Sequence, residues 1–572
     1  MNGGPSVSRV AYFSMEVALS PAMPTYSGGL GILAGDTLRS AADLGVPMVA
    51  VSLLHRKGYF RQRLDERGEQ LESSAEWSPE KFLEPMRPII SVSIAGRQVR
   101  VKAWRHLVEG IAGHVVPVYL LDTFLAENSA WDQTLTDRLY GGDSYYRLCQ
   151  EVILGIGGVE FLPKLGHHHI SSYHMNEGHS ALLGLGLVEQ RLGGRPLLSA
   201  TLDDAAAIRQ KCVFTTHTPV PAGHDQFPLD MVRNVLGDER AQALERFGAC
   251  PSGALNMTEV ALHGSRYING VAMHHGEVSR SMFPQCPIRA ITNGVHAVTW
   301  TTPAFQKLYD RHIPEWREDN LYLRYAIGIP VPEIQEVHQA CKKALFEEVT
   351  KRTGKSLDPA VMTIGFARRA ATYKRADLIF HNHDRLKWIA RNVGAIQIIF
   401  GGKAHPNDGG GKEIIRRIAD HARALDGVMR VIYLEDFDWQ WAPLLYSGVD
   451  LWLNTPRRPQ EASGTSGMKA ALNGVPSLSI LDGWWIEGCF EGVTGWAFGD
   501  HLGTGDDEAY EAGSLYHKLE RVIVPMFYSN PDAYARVMRG AIAVNGSFFN
   551  THRMVSQYLA NAWFRETPAE VH

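Results

Sequence analysis

The sequence has no paired cysteine spacing, no strong net charge and no long apolar run. Its six cysteines are scattered along the chain, as is typical of reduced thiols in a protein core. No stretch of about 18 consecutive apolar residues occurs, so the sequence predicts no membrane-spanning helix. Residues 1–9 also lack the charged and then apolar pattern of a secretion signal. We therefore expect a soluble, cytoplasmic protein that makes no contact with a membrane.

The charge balance argues against a further group of functions. A net charge of -4 provides no broad positive field, so nucleic acid is not an expected partner. Any phosphate chemistry must therefore depend on local clusters of basic residues. The run His167–His169 does not indicate a metal site, because adjacent side chains diverge and no cysteine or carboxylate pattern joins them. We expect no metal.

Short β-branched runs alternate with amphipathic stretches, which is typical of parallel sheets wound with helices. The candidate buried strands are 10–13, 46–54, 115–121, 171–175, 213–216, 362–367, 396–400, 431–434 and 451–453. We predict an α/β fold with two doubly wound, Rossmann-like domains, residues 1–330 and 331–530. Residues 531–572 are expected to form a final helix, about 531–562, that crosses back to the first domain. Because ligands bind at the carboxyl ends of parallel strands, two facing domains would share a site in the cleft between them.

The stretch Glu461-Ala-Ser-Gly-Thr-Ser-Gly-Met-Lys469 is the most informative motif. A turn of small residues leads into a predicted helix whose first N–H groups are free to hold an anion, with one lysine a turn further in. The amine of such a lysine can bond covalently to an aldehyde. Lys469 equally fits an ordinary solvated helix lysine, because small residues before a helix also act as caps. Other motifs must decide between these interpretations.

Basic residues follow the predicted strand 362–367. Arg368 and Arg369 stand at the strand end and Lys374 at the next helix start, where two cations can converge on a phosphate. Arg375, in contrast, is expected to face solvent.

A glycine-rich turn near the amino terminus is a second candidate anion site. Ser27-Gly-Gly-Leu-Gly31 opens a predicted helix through Ala42, and its glycines let backbone N–H groups approach an anion without obstruction. This turn and the basic run lie in opposite predicted domains, as a site in a cleft requires.

In their order along the chain, these motifs closely resemble the α-glucan (glycogen, starch and maltodextrin) phosphorylases, in a short bacterial-type form. The resemblance extends from Val10 to Gly499 and includes Gly-Lys403-Ala-His405-Pro406. It implies the GT-B type architecture of glycosyltransferases, pyridoxal 5′-phosphate as cofactor, α-1,4-glucan or maltooligosaccharide and inorganic phosphate as substrates, and a homodimer. The cofactor turn departs from the family pattern at one place, where Ser466-Gly467 replaces Gly-Asn.

The resemblance also implies roles for individual residues. For the cofactor it implies Lys469 as the covalent attachment point, with Arg368, Gly464, Thr465, Ser466 and Tyr12 as further contacts. For catalysis and the substrate phosphate it implies Arg369, Lys374, Lys469 and the turn formed by Gly28, Gly29 and Leu30. For the glucan it implies Glu461, Ser463, Gly464, His217, Asn293, Glu177 and His179, together with Asp143 and Ser144 in a loop that gates the cleft.

The implied reaction is reversible transfer of a terminal α-1,4-linked glucosyl unit to phosphate, giving α-glucose 1-phosphate with retention. No pair of carboxylates stands out at motif positions, which argues against ordinary hydrolysis. Two alternatives stay open: a glucan synthase that uses a nucleotide-diphosphate glucose, and a non-catalytic glucan-binding relic. A synthase shares the arginine and lysine pair but has no need of Lys469, and a relic has no need to keep Lys469, Arg369, Lys374 and Glu461.

Overall fold

The computed structural model describes residues 8–220, 223–250, 253–499 and 507–564. Residues 1–7, which entered the argument about a secretion signal and begin the first predicted domain, lie outside this part. So do residues 565–572, which end the predicted final segment. Among the described residues, no helix is both long and apolar enough to cross a membrane.

The strands lie mainly in two large sheets. In chain order they are β1 (Val10–Ser14), β2 (Met48–Leu53), β3 (Arg61–Leu64), β4 (Gln70–Ser73), β5 (Glu84–Ile94), β6 (Arg97–Glu109), β7 (Val115–Asp122), β8 (Ser172–Asn176), β9 (Cys212–Thr215), β10 (Gln226–Pro228), β11 (Ala254–Asn256), β12 (Tyr267–Gly270), β13 (Ile288–Ala290), β14 (Met362–Ala367), β15 (Ile396–Gly401), β16 (Val431–Leu434), β17 (Leu451–Asn454), β18 (Ser477–Ile480) and β19 (Gly495–Phe498).

Helices connect and cover these strands. They are α1 (Gly29–Asp43), α2 (Ser144–Val152), α3 (Gly158–Lys164), α4 (Leu183–Leu192), α5 (Leu202–Arg209), α6 (Leu229–Leu236), α7 (Asp238–Arg246), α8 (Met257–His263), α9 (Met273–Met282), α10 (Ala297–Trp300), α11 (Pro303–His312), α12 (Val331–Thr353), α13 (His383–Asn392), α14 (Gly409–Ala424), α15 (Ala442–Gly448), α16 (Ser466–Ala471), α17 (Trp485–Gly488), α18 (Glu508–Lys518), α19 (Val524–Ser529), α20 (Pro531–Gly540) and α21 (Thr551–Tyr558).

The first sheet has the order β13-β12-β9-β8-β1-β2-β7-β6-β5, and the second has the order β16-β15-β14-β17-β18-β19. All pairs of the second sheet are parallel, as are those of the first from β13 to β7. The prediction of an α/β fold with parallel sheets is therefore confirmed. Each predicted strand is present, with ends that differ by up to two residues.

An antiparallel extension of the first sheet was not predicted. Strands β5 and β6 form a hairpin, and β6 pairs antiparallel with β7. The connecting residues Ala95 and Gly96 both have positive φ, 50° and 74°, as a tight hairpin turn requires. Alanine is uncommon in that conformation, so residues 95 and 96 carry no strong turn signal.

The end of the chain differs from the single helix predicted over residues 531–562. Helix α20 ends at Gly540, a wide helical turn follows over Ala541–Gly546, and α21 begins after Asn550. The side chain of Asn550 accepts a hydrogen bond from Arg553 N, which caps a new helix. Beyond α21, Trp563 Nε1 donates to His174 Nδ1 in β8 at 3.0 Å, so this segment packs on the first sheet.

The hairpin β3-β4 joins the loops of the two large sheets. Gln62 Nε2 donates to Gly402 O at 2.9 Å, and Gln62 Oε1 accepts from Asp436 N at 3.0 Å. Gln70 forms a matching pair of bonds with the backbone of Ala404. Both glutamines are buried, so these contacts fix the loop after β15 relative to the first sheet.

Apolar side chains of residues 295–349 belong to the same core as the second sheet; Phe305, Tyr309 and Leu345 are examples. The chain thus reaches that core before residue 331. The domain limits at residues 330 and 331 stay a prediction.

Candidate active site

A cavity of about 990 Å³ lies where the loops after the parallel strands of both sheets meet. Its walls include the loops after β1, β8 and β9 in the first sheet and after β14, β15 and β17 in the second. The cavity brings together every predicted site residue except Tyr12: Gly28, Gly29, Leu30, Asp143, Ser144, Glu177, His179, His217, Asn293, Arg368, Arg369, Lys374, Glu461, Ser463, Gly464, Thr465, Ser466 and Lys469.

Tyr12 corrects one expectation. It lies inside β1, and its ring meets the edge of His174, 5.0 Å away, in the layer beside α1. Tyr12 is buried there and does not line the cavity. It precedes the carboxyl end of its strand by two residues and lines a separate small cavity, together with His174 and His217. The structure gives no support to Tyr12 as a cofactor contact.

Lys469 projects from α16 into an aromatic part of the cavity. Its amine Nζ lies 3.9 Å from the ring centroid of Trp300 and 5.7 Å from that of Tyr446. Burial lowers the pKa of Lys469 to about 8, an effect that the negative charge of Asp36 partly opposes. A substantial fraction of this amine is therefore neutral and nucleophilic near pH 8. The interpretation of Lys469 as a solvated lysine is wrong, because the residue is buried.

Glu461 neutralises two of the cations of the basic run. Lys374 Nζ lies 2.8 and 2.6 Å from its two carboxylate oxygens, and Arg368 Nη2 lies 2.7 Å from Oε2. Burial by itself would raise the pKa of Glu461, but Arg368 and Lys374 outweigh it and hold the pKa below its usual range. This carboxylate is therefore ionised, and the three side chains form one buried ionic cluster.

Arg369 is the cation of the run that stays available. It lines the cavity and is solvent-accessible, and within the described part of the chain no carboxylate forms an ion pair with it. Such a guanidinium, enclosed by cavity walls and without a counterion, is suited to bind an anion.

Arg375 is buried, contrary to the expectation that it faces solvent. Its guanidinium donates to Thr455 O at 3.0 Å and Pro456 O at 2.8 Å, and it forms an ion pair with Glu511. Its 4% exposure shows a structural role under the site. Arg375 points inward because the chain turns at Lys374–Arg375, where Arg375 adopts a φ of 45°.

The glycine-rich turn is already partly satisfied by a carboxylate. Glu16 Oε2 accepts hydrogen bonds from Ser27 N at 2.6 Å and Gly28 N at 3.3 Å, and Tyr140 Oη donates to Glu16 Oε1 at 2.9 Å. A side chain at Gly28 or Gly29 would meet open space, so the turn faces the cavity. An anion there would approach the N–H groups of Gly29 and Leu30 at the start of α1.

The loops after β8 and β9 form the opposite wall. Both carboxylate oxygens of Glu177 accept hydrogen bonds from neighbouring groups, including Gly178 N and His217 N. His217 Nε2 lies 2.6 Å from Asn176 Oδ1. Burial lowers the pKa of His217 and of His179 to about 3, so both are neutral hydrogen-bonding groups and not acids at neutral pH.

Three buried polar atoms of residues that line the cavity have no hydrogen-bond partner among the described residues. They are His179 Nδ1, Asn293 Oδ1 and Ser463 Oγ. Because an unsatisfied buried polar atom is costly, these atoms indicate where a polar ligand would bind.

Asp143, in contrast, lies exposed at the cavity rim, where its carboxylate caps α2 by accepting from Tyr146 N at 2.9 Å.

The comparisons with known proteins agree with this geometry. A family model described as carbohydrate phosphorylase matches residues 226–493. A maltodextrin phosphorylase of Thermococcus litoralis is 38% identical, over 96% of this chain and 70% of that protein. The chain belongs to the carbohydrate phosphorylase family. A glycogen phosphorylase of Mycobacterium tuberculosis is 37% identical over the same shares, and one of Aquifex aeolicus is 35% identical over 96% of this chain and 85% of that protein.

Family membership confirms the resemblance read from the motifs. The motifs did not reveal several residues near Lys469: Trp300 and Tyr446 lie beside its amine, Trp439 stacks on Trp300, and Asp36 accepts a hydrogen bond from Trp300 Nε1. Their signal in the sequence is weak, since a buried aspartate in a helix and scattered aromatic residues are common features of any core.

Proposed function

We propose that this phosphorylase catalyses reversible phosphorolysis of terminal α-1,4-linked glucosyl units and releases α-glucose 1-phosphate with retained configuration. One observation carries the proposal. In a single cavity the buried amine of Lys469 and the cluster Arg368–Lys374–Glu461 come together with the guanidinium of Arg369, which pairs with no carboxylate among the described residues. The names of the relatives, maltodextrin and glycogen phosphorylase, support the same substrate class.

The cavity fits pyridoxal 5′-phosphate. A buried lysine amine, the flat rings of Trp300 and Tyr446 and nearby cations match an aromatic aldehyde that carries a phosphate. Lys469 would hold the aldehyde carbon, and Arg368 and Thr465 are the candidates for its phosphate. When bound, the cofactor would supply an ionisable phosphate group beside the reacting centre. The replacement of Gly-Asn by Ser466-Gly467 leaves Lys469 buried and facing the cavity.

The protein's own groups would bind and orient the substrate phosphate. Arg369 offers a guanidinium that pairs with no carboxylate in the described part of the chain, and Lys374 would exchange one of its bonds to Glu461 for a phosphate oxygen. Glu461 would then accept a hydrogen bond from a sugar hydroxyl. Substrate bound between the two sheets would displace bulk water, which would strengthen these charge contacts and limit hydrolysis.

The glucosyl unit would bind between the loop of His217 and the turn of Ser463. Asn293 Oδ1 and Ser463 Oγ would each gain a sugar hydroxyl as the partner they lack. Two domains that face each other across this cavity, as in GT-B enzymes, are part of the proposal, and so is a homodimer, which analytical ultracentrifugation would test.

One set of reactions distinguishes this function from its alternatives. Maltoheptaose with phosphate should give α-glucose 1-phosphate by proton NMR, and maltoheptaose without phosphate should give almost no free glucose. Chain growth from a nucleotide-diphosphate glucose would indicate a synthase, and free glucose at a comparable rate would indicate a hydrolase. Binding of maltoheptaose without any turnover, in protein reconstituted with pyridoxal phosphate, would indicate a glucan-binding relic.

A further inference from the structure

Asp36 lies in α1, behind the aromatic wall of the cavity. Its carboxylate is buried, with 1% of the residue exposed. Oδ2 accepts hydrogen bonds from Trp300 Nε1 at 2.7 Å and from His296 N at 3.2 Å. Oδ1 has no hydrogen-bond partner among the described residues, and Arg39 Nη1 lies 3.5 Å from it. A buried charge that is only partly compensated costs stability, so its presence here needs a reason.

Trp300 connects Asp36 to Lys469. The amine of Lys469 lies over the Trp300 ring, 3.9 Å from its centroid, and Trp439 stacks on the same ring with centroids 5.7 Å apart. Asn473 Nδ2 donates both to Trp300 O at 2.8 Å and to Lys469 O at 3.0 Å. The two backbones are therefore tied together, while the hydrogen bond to Asp36 fixes the orientation of the indole ring.

We infer that Asp36 is a positioning residue for Lys469, because it holds the Trp300 indole against the lysine amine and places a negative charge behind that ring. The inference rests on the proposed role of Lys469 as the cofactor lysine. Two substitutions separate the hydrogen bond to Trp300 from the negative charge. Asp36→Asn keeps an acceptor oxygen and loses the charge, whereas Asp36→Ala loses both.

The charged and titratable groups around the amine come from three elements. Asp36 acts on it from α1 through its charge, and the ring centroid of Tyr446, in α15, lies 5.7 Å from it. Burial raises the pKa of the Tyr446 phenol, and the positive charge of Arg368, after β14, only partly opposes this rise. Of these groups, Asp36 opposes the loss of the proton from Lys469.

The charge effect is tested in protein without cofactor. Trace acetylation of Lys469, quantified by mass spectrometry between pH 6 and 10, gives the titration midpoint of its amine. We expect a lower midpoint in Asp36→Asn than in the wild type, since the opposing negative charge is lost. An unchanged midpoint would overturn the charge part of the inference.

The positioning effect is tested by the affinity for pyridoxal phosphate, measured by absorbance titration. We expect Asp36→Ala and Trp300→Phe each to weaken binding about tenfold or more, as loss of a charge-assisted hydrogen bond predicts. Asp36→Asn should keep the affinity within about threefold of the wild type. The double variant Asp36→Ala, Trp300→Phe should bind no more weakly than the weaker single variant, because both changes remove one interaction. Additive losses would overturn the inference, and so would an unchanged affinity in Asp36→Ala.

Ser40→Ala is the matched control for a merely structural effect. Ser40 lies on the same helix, is equally buried and donates to or accepts from Thr551 Oγ1 at 2.6 Å. This variant should lower the melting temperature without moving the Lys469 midpoint or the cofactor affinity. If Ser40→Ala shifts the midpoint as Asp36→Asn does, or weakens the cofactor affinity as Asp36→Ala does, the inference is wrong. A wild type that binds no pyridoxal phosphate would refute the proposed cofactor, while the acetylation midpoints would still test the charge of Asp36.

Discussion

Lys374 Nζ lies 2.8 and 2.6 Å from the two carboxylate oxygens of Glu461, although the two residues are 87 positions apart in the chain. Both are buried in the cavity wall. This ion pair leaves Arg369 as the cation of the basic run that has no carboxylate partner in the described part of the protein. Arg369 can therefore bind an anion directly, whereas Lys374 can do so only after it gives up a bond to Glu461.

Glu461→Gln tests whether Lys374 can bind phosphate once Glu461 no longer neutralises it. Lys374 and Arg368 would lose their neutralising charge, so we expect the KM for phosphate to fall. The turnover number should fall about 10- to 100-fold, since a hydrogen bond from a sugar hydroxyl to a charged group contributes about 1.5–3 kcal/mol. Initial rates of phosphorolysis over a range of phosphate concentrations measure both. Glu511→Gln removes the comparable carboxylate of the Arg375 pair and should leave the KM for phosphate unchanged.

Arg369→Ala should affect phosphate use, whereas Arg375→Ala should affect stability. Arg369→Ala should weaken phosphate use by about 2–5 kcal/mol in kcat/KM for phosphate, with little change in melting temperature. Arg375→Ala should reduce the free energy of unfolding by about 3–5 kcal/mol, because Glu511 would stay buried without a partner. Phosphate dependence and thermal denaturation, measured on both variants, check this. A normal phosphate dependence in Arg369→Ala would show that the guanidinium does not bind phosphate.

Lys469→Met should stabilise the protein without cofactor. The pKa of Lys469 falls from 10.5 to about 8 on folding, so the unfolded chain binds more protons between these values and wild-type stability rises with pH across this window. Below about pH 8 the full cost is present, up to ~3 kcal/mol by the size of the shift. Urea denaturation at pH 7 should show a gain that shrinks toward pH 10. Lys343→Met, an exposed position on α12, should show none.

Asp43→Asn should loosen the segment around α21. Asp43 Oδ2 accepts from His296 Nε2 at 2.7 Å and His552 Nε2 at 3.1 Å. Burial by itself would raise the pKa of Asp43, but the two histidines outweigh it and lower the pKa. The stabilisation is therefore present above the ordinary pKa of 3.8 and is lost as the pH falls below it. We expect the variant to lose about 1.5–3 kcal/mol at pH 7, because the hydrogen bonds lose their charged acceptor, and to approach the wild type in acid.

The same three residues are close enough to suggest a metal site, and their hydrogen bonds argue against one. Thr299 N donates to His296 Nδ1 at 3.3 Å, which makes Nε2 the protonated nitrogen that donates to Asp43. His552 Nδ1 has no partner among the described residues, and a metal on Nε2 would leave a buried N–H there unsatisfied. Added Zn²⁺ should therefore not raise the melting temperature; a clear rise would contradict this assignment.

The sequence by itself determined the α/β class, the strands after which the site residues come, and the family. These features are local: a strand, its turn and the next helix are adjacent in the chain, so Arg368 at the end of β14 and Gly28 before α1 could be placed at sheet ends from their neighbours alone. Parallel sheets collect their ligands at one edge, which is why most of the predicted site residues do line one cavity.

Tertiary structure alone decided the pairing and orientation within that cavity. The contacts Asp36–Trp300, Lys374–Glu461 and Arg375–Glu511 join residues 264, 87 and 136 positions apart. No spacing rule connects such positions, because their distance depends on how whole sheets and helices pack. For the same reason the sequence misplaced Tyr12 and Arg375: a side chain's residue type sets its chemistry, but only the packed neighbours decide whether it faces the cavity or the core.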